Sequence, residues 1–129
     1  MKKKIFAILL VMVLFVLPME AMAETIDFNI TVGGFNPDPI SRRAIKNPAD
    51  SDNNFYVRGV TFSTSQPVIA ASYHLSQPNT YYSYGVQIRS YTTSTAYCVK
   101  VPHGEYYYMN TDFADGQGTA THITGKYTP

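Results

Sequence analysis

From residue 24 onward the chain has almost nothing with which to build a helix. Leu75 is the single leucine of that stretch, Met109 the single methionine, and Glu24 and Glu105 the only glutamates. Against them stand 11 Tyr, 5 Phe, 7 Val, 7 Ile and 13 Thr, which make up 43 of 106 residues. β-Branched and ring-bearing side chains lose rotamer freedom against a helical turn but pack well on a pleated surface. A stretch of this length is one domain's worth. It reads as a single all-β domain spanning residues 24–129.

The first 23 residues read differently. Lys2, Lys3 and Lys4 precede an apolar run from Ile5 to Leu17, and Ala21-Met22-Ala23 offers the small residues that a signal peptidase admits. The run would make a helix of about 20 Å at 1.5 Å per residue, short of a hydrocarbon core of roughly 30 Å. Residues 1–23 are therefore expected to be a cleaved signal peptide of bacterial, Gram-positive style. No cysteine sits at the cleavage point for a lipid anchor. The expected product starts at Glu24, is secreted, and keeps no membrane anchor. It would carry 7 Lys and Arg against 8 Asp and Glu, too little charge of either sign to recruit nucleic acid or an anionic bilayer.

Periodicity divides the domain into about seven strands. Ile26, Phe28, Ile30 and Val32 alternate with polar residues until Gly33-Gly34. Phe55–Phe62 forms a second strand, with Phe55 and Val57 on one face and Tyr56, Val60 and Phe62 on the other. Val68–Leu75 is a third, started by Pro67. Tyr82, Tyr84, Val86 and Ile88 line one face of a fourth. Tyr97, Val99 and Val101 line a fifth, stopped by Pro102. Glu105–Asn110 and Thr119–Tyr127 complete the set, after turns at His103-Gly104 and Asp115-Gly116. Strands two and three are apolar on both faces, which places them centrally. Gly59, Gly85 and Gly125 interrupt strands and mark bulges or close backbone approaches. Short strands with turns about every ten residues imply a small antiparallel β-sandwich of two sheets, with a small closed β-barrel as the alternative. The segment 35–54, with Pro37, Pro39 and Pro48, is a long Pro-rich connection. Three readings stay open for it: a functional loop, a cover, or a sheet edge.

The chemistry of catalysis is sparse. His74, His103 and His122 have no second His or Cys at metal spacing. Asp50-Ser51-Asp52-Asn53-Asn54 is rich in oxygen ligands, but Phe55 and Thr61 stand where a calcium loop requires Gly and Glu. No strand-turn-helix elbow presents a nucleophile, and Asp112 and Asp115 lie on one loop instead of facing each other across a cleft. No metal or cofactor is expected, and a non-enzymatic protein is the leading reading, with a secreted hydrolase as a remote alternative.

Tyrosine is the conspicuous feature. Tyr81-Tyr82-Ser83-Tyr84 and Tyr106-Tyr107-Tyr108 put rings on both faces of their strands, and one face of each must lie outside the core. Outward tyrosines bring large contact area at low entropic cost. The expected binding surface is the exposed subset of Tyr81, Tyr84, Tyr106 and Tyr107, with Arg42 and Arg43 on the long connection. The partner would be a protein or a component of the cell envelope. Cys98 is the one cysteine of the chain. It is expected either to join two chains in a disulfide-linked dimer or to pack as a buried thiol.

Asp27-Phe28-Asn29-Ile30 lies near the expected mature start, Phe55-Tyr56-Val57 follows a polar Asn-rich run, and Gly125-Lys126-Tyr127-Thr128-Pro129 closes the sequence. With the export signal and the length, these segments resemble a family of small exported Gram-positive proteins that share a layout with the lactococcin 972-like bacteriocins. The resemblance covers most of residues 24–129. It implies a β-sandwich secreted to act on neighbouring cells, and makes a bacteriocin-like toxin the alternative function.

Overall fold

Alternation of buried and exposed side chains runs through every long strand. The computed structural model describes residues 24–49 and 51–129; the expected signal peptide lies outside the described residues. Eight strands follow in chain order: β1 Ile26–Val32, β2 Ala44–Ile45, β3 Asn54–Phe62, β4 Val68–His74, β5 Val86–Gln87, β6 Thr93–Ala96, β7 Tyr106–Phe113 and β8 Thr121–Thr128. They form two antiparallel four-stranded sheets, ordered β1-β8-β3-β6 (sheet A) and β2-β7-β4-β5 (sheet B). The sheets pack face to face as an open β-sandwich and do not close into a barrel. β3 and β4, apolar on both faces, take interior positions in their sheets.

The core joins the inner rows of both sheets. Ile26, Phe28, Ile30 and Val32 of β1 meet Phe55 and Val57 of β3, Val68 and Ala70 of β4, and Tyr107 and Met109 of β7. Its centre is aromatic. Tyr127, Phe55, Tyr97, Tyr107 and His74 form a continuous chain of edge-to-face contacts, with centroid separations of 6.1, 6.4, 5.4 and 5.1 Å. That geometry sets the positive ring edge against the negative ring face. The phenol groups in this dry centre need partners, and Ser72 supplies them. Its hydroxyl lies 2.7 Å from the hydroxyls of Tyr97 and of Tyr127. Burial raises the pKa of Tyr97, Tyr107 and Tyr127 well above the ordinary 10.0.

Two glycines explain the geometry of sheet A. Phe28, Gly125 and Gly59 lie side by side on β1, β8 and β3. A side chain at Gly125 would stand 2.1 Å from the Arg58 carbonyl oxygen and 2.5 Å from the Phe28 ring, so glycine lets that ring lie flat over β8. A bulge between Gly59 and Thr61 shifts the register. Phe62 therefore pairs with the buried Ile123 and its ring covers Gly59, whereas uninterrupted alternation puts it with Tyr56 and Val60. The bulge supplies the missing half-period.

The segment 35–54 is a sheet edge. Thr31 and Asp38 exchange both backbone hydrogen bonds at 2.9 Å, the Ser41 N–H donates to the Met109 carbonyl at 2.9 Å, and the Lys46 N–H donates to the Glu105 carbonyl at 3.0 Å. The chain thus crosses from the β1 edge to the β7 edge, and its three prolines keep it too irregular to read as a strand. Lys46 anchors it. Its side chain is fully buried, with Nζ donating to the carbonyls of Asn54 (2.8 Å) and Pro129 (3.2 Å) and lying 5.1 Å from the Tyr97 ring centre.

The expected fourth and fifth strands are mostly irregular. Only Val86–Gln87 of the fourth pairs regularly. The fifth is held instead by Asn53, whose amide donates to the Val99 carbonyl at 3.0 Å and accepts from the Val101 N–H at 3.1 Å. Asp52 is likewise engaged, accepting from the Asn54 N–H at 3.0 Å and from the Tyr56 hydroxyl. The oxygen-rich run serves local folding.

Two consequences are measurable. Ser72→Ala strips a buried partner from two phenols and is expected to cost about 1–3 kcal/mol in urea unfolding. Adding Tyr97→Phe and Tyr127→Phe to it should cost less than the three single changes together. In alkali, an acid whose folded pKa is raised keeps its full stabilising contribution below its unfolded value near 10 and loses it as pH climbs above that value. Tyrosinate absorbance is expected to rise in a late step that coincides with loss of the β circular-dichroism signal.

Candidate functional site

The two outer faces of the sandwich have opposite chemistry. On sheet A the outward side chains are mostly polar and many bond to one another, with Val60 the exposed apolar exception. Thr25 pairs with Thr128 (2.7 Å), Thr61 with Thr124 (2.6 Å), Thr31 with His122 (3.2 Å) and Lys126 with Asp27 (3.0 Å). On sheet B the outward row of β4 is Ile69, Ala71 and Tyr73, and that of β7 is Tyr106, Tyr108, Asn110 and Asp112.

Register places Tyr73 between Tyr108 and Tyr82. The three rings stack along this rung, with centroids 5.7 and 6.4 Å apart and planes 22° and 25° from parallel. Burial raises the Tyr73 pKa, and the neighbouring Tyr108, Cys98 and Tyr82 add to the effect, so three phenols and the thiol share one neighbourhood. One rung toward the sheet's end, the Arg43 guanidinium lies 4.6 Å from the centre of the Tyr106 ring.

Beside the stack runs an open groove of about 630 Å³. Tyr73, Tyr82 and Tyr84 form one wall, Asn110 and Asp112 the other, and Ala71 lies between them. The groove exists because Ala71 offers a single methyl in a row whose neighbours are Tyr73 and Ile69. Gly85 lets the chain after Tyr84 lie close over Ile69, since a side chain there would come within 2.6 Å of it. Asn110 and Asp112 are fixed by their own backbone, their Oδ1 atoms accepting the next residue's N–H at 2.9 and 2.8 Å.

The expected binding residues separate into three groups. Tyr84, at 60% exposure, and Tyr106, at 39%, lie on the outer side of sheet B, where Arg43 joins them. Arg42 is exposed at the sandwich edge, on a smaller cleft with Asp27 and Asp38. Tyr81 is half-buried against the core and edge-on to His74. Tyr107 is wholly buried and donates to the Pro102 carbonyl at 2.6 Å, so it is no part of any surface. Alternation leaves room for only one answer: with Tyr107 inside, Tyr106 and Tyr108 point out. The same parity separates Tyr82 and Tyr84 from the buried Ser83. Tyr73, Tyr82, Tyr108, Ala71, Asn110 and Asp112 are the site residues that the sequence reading missed. Their signal lay in counting alternate positions through each tyrosine triplet. Cys98 lies half-buried on the groove.

The buried His74 and the solvent-exposed Glu105 form the one imidazole–carboxylate contact among the described residues. Nδ1 accepts the N–H groups of Ser76 (3.2 Å) and Gln77 (3.0 Å), so Nε2 carries the proton and donates to Glu105. Nδ1 is engaged by backbone and Nε2 by the carboxylate, so the pair clasps two turns together. Among the described residues no three His, Cys, Asp or Glu side chains are grouped to hold a metal ion.

No protein-family model, curated protein or solved structure matches this chain.

The core and surface tyrosines are separable by stability. Tyr107→Ala is expected to cost about 3–5 kcal/mol in urea unfolding, whereas Tyr106→Ala, one residue away, should change the midpoint little.

Proposed function

We propose that the protein is secreted and acts without catalysis, by binding a component of the cell envelope or an envelope protein through the outer face of sheet B. The observation that carries this reading is the contrast between the two outer faces. Both sheets have the same need for strand-forming residues on the solvent side, and sheet A meets it chiefly with threonines and a Lys–Asp pair, Val60 being its one strongly exposed apolar residue among the described residues of its strands. Sheet B instead exposes Tyr82, Tyr84, Tyr106 and Leu75, although each adds apolar surface to water. Exposed aromatic rings gathered on one face in this way mark an interaction surface. The stacked rung also holds its rings in place before any partner arrives, which lowers the entropic cost of association.

Co-sedimentation of the purified protein with envelopes of the producing cell tests the reading. Tyr82→Ala, Tyr84→Ala and Tyr106→Ala are expected to leave the melting temperature nearly unchanged. Each should weaken envelope binding about tenfold or more, the scale of an interface hot spot. Thr124→Ala on sheet A should bind like the unaltered protein. If all three tyrosine variants bind fully, the face has no such role.

A further inference from the structure

We infer that the groove between Tyr84 and Asp112 takes a neutral saccharide chain, a conclusion that rests on the proposed use of sheet B for binding and names its ligand class. Four features point there. The groove is open to solvent and about 630 Å³ in volume, which suits a partly exposed chain more than a small molecule enclosed on all sides. One wall is phenolic. The electron-rich face of a tyrosine attracts polarised C–H groups, and Tyr84, largely exposed, has a face to offer.

The opposite wall supplies matched hydrogen-bonding groups. Asn110 and Asp112 stand two residues apart on β7, roughly 6.6 Å at 3.3 Å per residue. Their Oδ1 atoms are held by the Thr111 and Phe113 amides. That leaves the Asn110 Nδ2 donor and the second Asp112 oxygen directed by a fixed rotamer. A carboxylate accepts from hydroxyls while a carboxamide N–H donates to them, so the pair can hold vicinal hydroxyls that act in both senses.

Charge completes the argument. Among the described residues Asp112 is the one charged side chain lining the groove, and no Lys or Arg lines it. A phosphate- or carboxylate-bearing polymer would meet repulsion with nothing to offset it. A neutral polyol gains from the carboxylate without adding a charge of its own. Arg43, the cation of this face, is occupied over Tyr106 and lies outside the groove.

Ala71 provides a clean test, because Ala71→Phe fills the groove from its floor on the solvent side of β4. Cello-, chito- and malto-oligosaccharides are titrated separately into isotope-labelled protein, and backbone amide shifts are followed. At least one should give saturable shifts at Ala71, Tyr73, Tyr84, Asn110 and Asp112. Asn110→Ala and Asp112→Asn should weaken that binding about tenfold or more, and Ala71→Phe should abolish it. Retained peak dispersion checks the fold of each variant, and the two polar substitutions keep the test decisive should Ala71→Phe misfold. If none of the three saccharides shifts these amides while envelope binding still depends on Tyr82 and Tyr106, the saccharide inference falls and the face retains its role. Saturation by a lysine-rich peptide and by no saccharide also overturns it. Saccharide shifts in the groove, with envelope binding indifferent to the tyrosine variants, uphold this inference and remove the other.

Discussion

The hydroxyl of Ser72, shared by Tyr97 and Tyr127, is the contact on which the architecture turns. A tyrosine-rich chain without tryptophan and with one leucine after residue 24 must use phenols to fill its centre. A phenol in a dry core is costly unless its oxygen is bonded. Ser72 sits on sheet B, Tyr127 on sheet A, and Tyr97 on the segment bridged to Ser83. One small side chain thus satisfies two rings and fixes the register of one sheet against the other. The consequence reaches the surface. A strand's side chains alternate, so placing Ser72 inside puts Tyr73 and Ala71 outside, and placing Tyr107 inside puts Tyr106 and Tyr108 outside. The stacked rung and the groove are the reverse side of the core.

Much of the fold could be read from the chain, and for plain reasons. β1 alternates cleanly between apolar and polar residues because one side faces water, and the central placement of β3 and β4 follows from their two apolar faces. Two antiparallel sheets fit the turn spacing, but that spacing does not choose between a sandwich and a closed barrel; the strand order does. The bulge at Gly59 was readable as an interruption, but its effect on Phe62 was not. The effect depends on how β8 pairs, and pairing is a long-range property. The edge at 35–54 stayed one of three open readings for a similar reason. Its strand character comes from bonds to Thr31, Met109 and Glu105, none of them near in sequence, and its prolines mask the local pattern.

The candidate site was legible only in kind. A surplus of tyrosines requires some rings outside, yet the candidate set includes the buried Tyr107 and omits Tyr73, Tyr82 and Tyr108. Composition counts rings and says nothing about which alternate set the core claims. That choice is made by contacts between sheets, among them the Ser72 hydroxyl of one sheet against the Tyr127 hydroxyl of the other. Lys46 shows the same limit from the other side. A lysine in a Pro-rich stretch reads as solvated, and only the fold reveals carbonyls and a ring face arranged around its ammonium.

Where the site is built matters as much as what builds it. Binding residues usually sit on loops, where partner contacts must repay the ordering of the chain. Here Tyr73, Tyr108, Asn110 and Asp112 project from paired strands, Tyr82 is held by a bridge to Tyr73, and the ring planes are braced by one another. The backbone beneath them is the same that carries Ser72 and Tyr107 on its inner side. Such a surface cannot remodel itself to suit many partners without disturbing the core. Rigidity of that order favours a ligand of repeating, regular shape, to which a fixed groove can be complementary at successive positions along the chain.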